Sequence, residues 1–264
     1  MPDMNLQRLT VTADGHVARI TLNRPDVRNA FDDATIVELT AAFRALADDA
    51  SVRVIILAAI GPAFCAGADL NWMKRMADYS DAENRADALG LATMLNTIYT
   101  CNKPVIARVQ GDAYAGGMGL VAVADIAISA DSAHFCLSEA KLGLMPATIA
   151  PYVIRAIGAR ASHRYFVTAE RIDANEALRI GLVHQVVSPE ALDATVDAVA
   201  AAIAANSPNA VRECKQLVVD FADKPIDDTL ISDTADRIAR IRASDEGRDG
   251  VRSFLEKRKP SWLA

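Results

Sequence analysis

PVIARVQGDAYAGGMGLVAVAD, from Pro104 to Asp125, is the stretch on which the fold turns. It opens as an apolar, β-branched run, Val105-Ile106-Ala107-Arg108-Val109, which suits a strand buried on both faces. Gly111, Gly116, Gly117 and Gly119 then fall within nine positions. Glycine allows backbone to approach a ligand closely. Leu120-Val121-Ala122-Val123-Ala124 follows as a buried helix would. A helix starting near Gly116 leaves its first N–H groups unpaired and pointing out of its end. The local dipole there favours an anion, or an oxygen that becomes one during a reaction.

Outward from this stretch, apolar patterning sets the remaining elements. Val17, Ile20 and Leu22 alternate with polar residues and suggest strands up to Asn23, which Pro25 ends. Ile36, Leu39, Phe43 and Leu46 lie on one helical face, capped by Asp32 or Asp33. Ser51 to Ala59 reads as a second buried strand, and Ala63 to Leu70 as a small-residue turn. Helices are expected over Met73 to Tyr79 and Asp81 to Thr100, and short strands over Ile126 to Ala130 and His134 to Leu137. Later helices are expected over Tyr152 to Ile157, Ala161 to Thr168 and Ala174 to Ile180, the last stopped by Gly181. A short strand fits Val183 to Val187, then helices from Pro189, from Ser207-Pro208 and from Asp227. We place a division near residue 195, between a core domain (1–195) and a helical region (196–264).

Composition narrows the function classes. The 264 residues are 52% hydrophobic and 23% charged, which is globular rather than disordered. A net charge of −6 without a basic stripe argues against nucleic acid as partner. Cys65, Cys101, Cys136 and Cys214 form no CxxC pair and the four histidines lie far apart, so buried free thiols are expected, with no metal site. With no leader-like or membrane-length apolar run, the expectation is a cytoplasmic enzyme. Gly117-Met118-Gly119-Leu120-Val121-Ala122 formally fits a dinucleotide fingerprint, with Glu139 about twenty residues on. A strand already beginning at Ile126 leaves too short a helix for the ~30-residue unit that motif needs.

Several stretches together resemble the enoyl-CoA hydratase/isomerase (crotonase) family. They are Asn23-Arg24-Pro25 with Arg28-Asn29-Ala30-Phe31, Phe64 to Leu70, Lys103 to Ala107 with Gly111 and Gly116-Gly117, then Asp125, Glu176-Ala177 leading to Gly181, and Phe254 to Arg258. Gly67-Ala68-Asp69-Leu70 with Trp72-Met73, Phe135 to Glu139 and Pro146-Ala147 look closest to bacterial methylglutaconyl-CoA hydratases of leucine and isoprenoid breakdown. The resemblance implies an α/β fold, a ClpP-like spiral of ββα turns with a C-terminal helical trimerisation region, as a homotrimer or dimer of trimers. It implies an acyl-CoA thioester as substrate, with coenzyme A part of that substrate and no separate cofactor. Its oxyanion-binding amides correspond to Ala68 and Gly116, and its second glutamate to Glu139.

Its first glutamate falls at Gly119 and is absent. Glu139, between the apolar runs Phe135-Cys136-Leu137 and Leu142-Gly143-Leu144, is expected to have a raised pKa, fit for acid/base work. A lone carboxylate leaves hydration and double-bond isomerisation both open. Arg28 is expected at the coenzyme phosphates, and Ala66, Asp69, Leu70, Gly117 and Ala147 along the substrate. Phe254 and Lys257 match a tail pair that reaches the nucleotide end of the ligand in a neighbouring subunit. Lys74, Arg75 or Arg155 are candidates to meet a distal carboxylate on the acyl group.

Overall fold

Two sheets are wound together in the computed structural model, which describes residues 6–263. The chain opens with β1 (Leu9–Asp14) and β2 (Val17–Leu22), an antiparallel hairpin. Then comes α1 (Asp33–Asp48), whose first turn is capped by Asp32 accepting from the Thr35 amide at 2.9 Å. The expected face, Ile36, Leu39, Phe43 and Leu46, is the buried one. Three turns of similar plan follow. β3 (Val54–Ala59) and β4 (Ala63–Cys65) lead into α2 (Leu70–Met76) and α3 (Asp81–Tyr99). β5 (Val105–Val109) and β6 (Asp112–Tyr114) lead into α4 (Gly116–Ala122). β7 (Ile126–Ala130) and β8 (His134–Cys136) lead, through a short 3-10 turn at Glu139–Leu142, into α5 (Ala150–Thr168).

Each turn gives its first strand to a large sheet and its second to a small one. The large sheet runs β1-β2-β3-β5-β7-β10, parallel from β2 onward, where β10 is Gln185–Val187. The small sheet runs β4-β6-β8-β9, where β9 is Ile172–Asp173 and only the β8–β9 pair is antiparallel. α6 (Ala174–Arg179) stops at Gly181, whose φ is +86°. The chain ends in α7 (Leu192–Ala204), α8 (Pro208–Phe221), α9 (Asp228–Ala243) and α10 (Asp245–Glu256). This is the expected α/β spiral.

Sequence patterning departs from the structure in three places. Of the small sheet it holds only β8: Ala63 to Leu70, expected as a turn, begins with β4, and β6 lies inside the glycine stretch. Three-residue strands are shorter than the 4–8 residues over which alternation can be seen. The two helices expected between residues 152 and 168 are one run broken at Gly158, where φ is 73° and ψ is 160°. The division drawn at residue 195 falls inside α7. Leu192, Val196 and Ala200 of that helix are buried against Val54, Ile56, Ile106 and Ile128 on one face of the large sheet. Core packing therefore continues to Ala200, and fully buried apolar side chains cease only with α8 and α9.

Between β6 and β7, α4 has seven residues. That leaves no room for the crossover helix of a dinucleotide unit. Among the described residues, no helix is long and apolar enough to cross a membrane.

Candidate active site

The small sheet positions the site. β4, β6 and β8 are parallel neighbours, paired Cys65 to Ala113 and Tyr114 to Cys136. Their carboxyl ends therefore lie side by side, where open parallel sheets bind ligands. Each strand releases one expected residue there: Ala68 after β4, Gly116 after β6 and Glu139 after β8.

Backbone contacts hold the first two in place. Phe31 and Ala68 form an isolated parallel bridge. The Phe31 amide donates to the Gly67 carbonyl at 2.8 Å, and the Asp69 amide to the Phe31 carbonyl at 3.0 Å. Ala115, the N-cap of α4, has φ 49° and ψ −121°, a conformation that strains a residue with a side chain by about 1–3 kcal/mol. Its amide donates to the Cys136 carbonyl at 2.8 Å, which ties the turn to β8. A Cβ built on Gly67 would lie 3.0 Å from the Ala115 Cβ and 3.7 Å from the Gly116 nitrogen, so the two turns touch. Among the described residues, neither the Ala68 nor the Gly116 amide donates to a protein acceptor.

The glycines follow from close approach. A Cβ on Gly116 would collide with the ring of Phe31, and one on Gly117 with the Cys65 carbonyl oxygen. Gly119 has no side chain and no room for one. Its Cβ position overlaps Cγ2 of the buried Ile149 and sits 3.7 Å from Leu95 Cδ2. A glutamate at 119 is therefore replaced, not simply missing: Ile149 fills the space.

Glu139 is half-buried, and its Oε2 is buried with no hydrogen-bond partner among the described residues. Burial pushes its carboxyl pKa up, as expected. A buried acceptor left without a donor is costly, and a water or ligand group that donates to it would remove that cost.

Arg28 and Ala66 line one cleft of about 350 Å³ together with Pro62, Gln110 and Tyr114, a lining that includes none of Ala68, Gly116 and Glu139. Arg28 is exposed with φ 53°, and its carbonyl accepts from the Ala66 amide at 3.0 Å. Leu70 and Ala147 are exposed. Asp69 is placed differently from expectation. It is buried, caps α2 by accepting from the Asn71 and Trp72 amides at 2.8 and 3.3 Å, and pairs with Arg24 at 2.9 Å. Its carboxylate is thus engaged by three protein partners. Phe254 and Lys257, exposed at the end of α10, are not joined to the cleft within one chain. Arg75 pairs with Asp33 at 2.9 Å and Arg155 with Asp223 at 3.7 Å, whereas Lys74 is exposed. A larger cavity of about 430 Å³ between α8 and α9 includes none of these residues.

Several supporting residues carried no role in the sequence. Arg24 also donates to the Ala30 carbonyl at 2.5 Å and lies 3.4 Å from Asp32. Asn29, buried at φ 54°, donates to the Ile60 and Ala63 carbonyls, both at 2.8 Å, and accepts from the Arg24 amide at 2.9 Å. Both sit in quoted motifs, which was their only signal. Ile149 had none.

Comparison with known proteins identifies the family. Residues 12–264 match the enoyl-CoA hydratase/isomerase family. The chain is 32% identical over 258 residues to the short-chain-enoyl-CoA hydratase of Clostridium acetobutylicum, covering 97% of each chain. It is 32% identical over 263 residues to the crotonyl-CoA hydratase of Syntrophomonas wolfei, covering 99% of this chain and 100% of the other. The crystal structure of an enoyl-CoA hydratase from Shewanella pealeana superposes with a TM-score of 0.95 at 42% identity, covering 98% of this chain and 97% of that one.

Proposed function

The chain belongs to the enoyl-CoA hydratase/isomerase family and is an enoyl-CoA hydratase, and from that premise we propose that Ala68, Gly116 and Glu139 add water to a branched, carboxylated enoyl-CoA such as 3-methylglutaconyl-CoA. The observation that supports this reading is that two amides and one carboxylate oxygen without a protein partner among the described residues follow the ends of three adjacent parallel strands.

The thioester oxygen accepts from the amides of Ala68 and Gly116. Ionised Glu139 takes a proton from water as the oxygen of that water bonds to the β-carbon. The double-bond electrons move to the carbonyl oxygen, giving an enolate. Two fixed donors stabilise this state more than the neutral substrate. Protonated Glu139 then gives its proton to the α-carbon, the enolate collapses to the thioester, and the carboxylate is restored. The net change is one water across one double bond. Coenzyme A belongs to the substrate, so no separate cofactor takes part. Arg28 meets the coenzyme phosphates, and Ala66, Leu70, Gly117 and Ala147 line the path of the thioester. Phe254 and Lys257 reach the nucleotide end from a neighbouring subunit of a trimer or dimer of trimers. The reaction runs in the cytoplasm.

One observation favours a second reading. The space of a second carboxylate is filled by Ile149, and a single carboxylate suffices to move a proton between carbons, as a double-bond isomerase does. A panel of 3-methylglutaconyl-CoA, crotonyl-CoA and a β,γ-unsaturated acyl-CoA separates the two. Hydration bleaches the conjugated thioester band, whereas isomerisation of the β,γ-compound creates it. Turnover of 3-methylglutaconyl-CoA with a kcat/KM at least tenfold above that of crotonyl-CoA is the expected result. A preference for crotonyl-CoA would overturn the acyl assignment, and band growth without bleaching would overturn hydration.

A further inference from the structure

We propose that Phe31 is a positioning residue that couples the two oxyanion amides into one unit, so that the distance between them is set by a single side chain and its backbone. This rests on the assignment of Ala68 and Gly116 to the thioester oxygen.

Phe31 reaches both turns by different means. Its backbone forms the bridge to Ala68, with its N–H on the Gly67 carbonyl and its carbonyl taking the Asp69 N–H. These two bonds straddle Ala68 and leave the Ala68 amide pointing away from the pairing. Its ring lies against the backbone of Gly116, closely enough that a Cβ there would overlap Cζ. One residue thus fixes the first donor by hydrogen bonds and limits the second by contact. The ring cannot drift. Phe31 is 2% exposed and packs on Trp72 at a centroid distance of 6.0 Å and an interplanar angle of 54°. Trp72 is itself 2% exposed and donates from Nε1 to Asp87 at 2.9 Å. A rigid chain of contacts therefore runs from Asp87 through Trp72 and Phe31 to Gly116. The strained Ala115 gives a reason for such a stop: a turn held at φ 49° relaxes when what presses on it is removed.

A donor displaced by about 1 Å costs up to a hundredfold in rate, with little effect on binding. Phe31→Ala is therefore expected to lower kcat by about ten- to a hundredfold with KM within threefold of wild type. Phe31→Leu, which keeps most of the volume, is expected to recover most of the loss. The pH profile, set by Glu139, is expected to stay unchanged. The decisive readout is the red shift of the conjugated thioester band of crotonyl-CoA at saturation on Glu139→Gln, where turnover is stopped. That shift reports polarisation of the carbonyl by the two amides. It is expected to shrink clearly in Glu139→Gln/Phe31→Ala. An unchanged shift, or a kcat within twofold of wild type, would overturn the proposal. Should Phe31→Ala not fold, the same readouts on Phe31→Leu decide, with a kcat loss of about threefold expected. If wild type binds the thioester and shifts its band but hydrates nothing, the reaction assignment fails while the band shift still tests Phe31.

Discussion

Glu139 combines two properties that ordinarily exclude each other: it is half-buried, and its buried Oε2 has no donor among the described residues. Burial raises its carboxyl pKa, so the folded protein holds that proton more tightly than the unfolded chain does. Stability therefore falls as pH rises from the ordinary carboxylate range through the raised value, and the full penalty applies above it. Glu139→Gln removes the penalty, so its Tm is expected to exceed that of wild type at pH 8 and to match it near pH 4, by calorimetry. Its kcat is expected to fall by at least about a hundredfold. The acidic limb of the wild-type kcat/KM profile is expected above the usual carboxylate range, because the base must be ionised to take a proton from water. A wild-type limb at the ordinary value, or equal Tm at pH 8, would contradict this account. Gly119 and Ile149 form the complementary test. Gly119→Glu forces a charged side chain into space that Ile149 fills and is expected to cost about 3 kcal/mol or more. Ile149→Ala costs about 2–4 kcal/mol by itself. Together they are expected to cost at least 1 kcal/mol less than their sum, since one opens the space the other needs. Additivity within about 0.5 kcal/mol would show that the two positions do not share that space.

At the scale of elements, α2 shows how one carboxylate serves a helix cap and an ion pair together. Although burial alone would push the Asp69 carboxyl up, the Asn71 and Trp72 amides and the Arg24 guanidinium bring it below the usual range. Its contribution is therefore complete above the ordinary carboxylate value and is lost as pH falls through the lowered one. Asp69→Ala removes a helix cap and half of a mostly buried ion pair, and about 3 kcal/mol is expected from urea unfolding at pH 7. The gap between variant and wild type is expected to narrow in acid. Asp69 also marks where sequence becomes opaque. The large sheet was legible because β3 and β5 are runs of five or six mostly buried residues, and α1 because its apolar face repeats at helical spacing. β4, β6 and β9 were not, since two or three residues carry no period; β8, equally short, was read only as part of the apolar run Phe135 to Leu137. Yet β4 and β6, with β8, bring Ala68, Gly116 and Glu139 to one edge. Motifs thus named the candidate residues, while the contacts around them, such as Phe31 on Gly116 and Ile149 over Gly119, pair residues far apart in the chain. Asp69 itself, expected along the substrate, has its carboxylate held by the Asn71 and Trp72 amides and by Arg24, a partner distant in sequence.

For the whole molecule, the question is what covers the last three helices. No side chain of α8 or α9 is fully buried, and on α10 only Ser253 is. Val218, Ile231, Ile238, Val251, Phe254 and Leu255 are all more than 40% exposed. A single chain ending this way leaves a large apolar surface in water, at a cost of about 25 cal/mol for each Å² that an interface would cover. Association of copies through these helices removes that cost. In the trimer proposed above, Phe254 and Lys257, exposed at the end of α10, would reach a neighbour's cleft. Sedimentation is therefore expected to give three or six times the 28.2 kDa chain mass. Ile238→Glu, placing a charge on the exposed face of α9, is expected to shift the population to the single chain while α1 to α7 keep their fold. Phe254→Ala keeps the other five of these apolar side chains, so it is expected to associate as wild type does and to raise KM for the thioester about three- to tenfold at unchanged kcat, because it removes a binding contact made equally before and during reaction. The two variants test separate links. If wild type sediments as one chain, association fails. If it associates and Phe254→Ala keeps its KM, the tail packs on a neighbour without reaching its ligand.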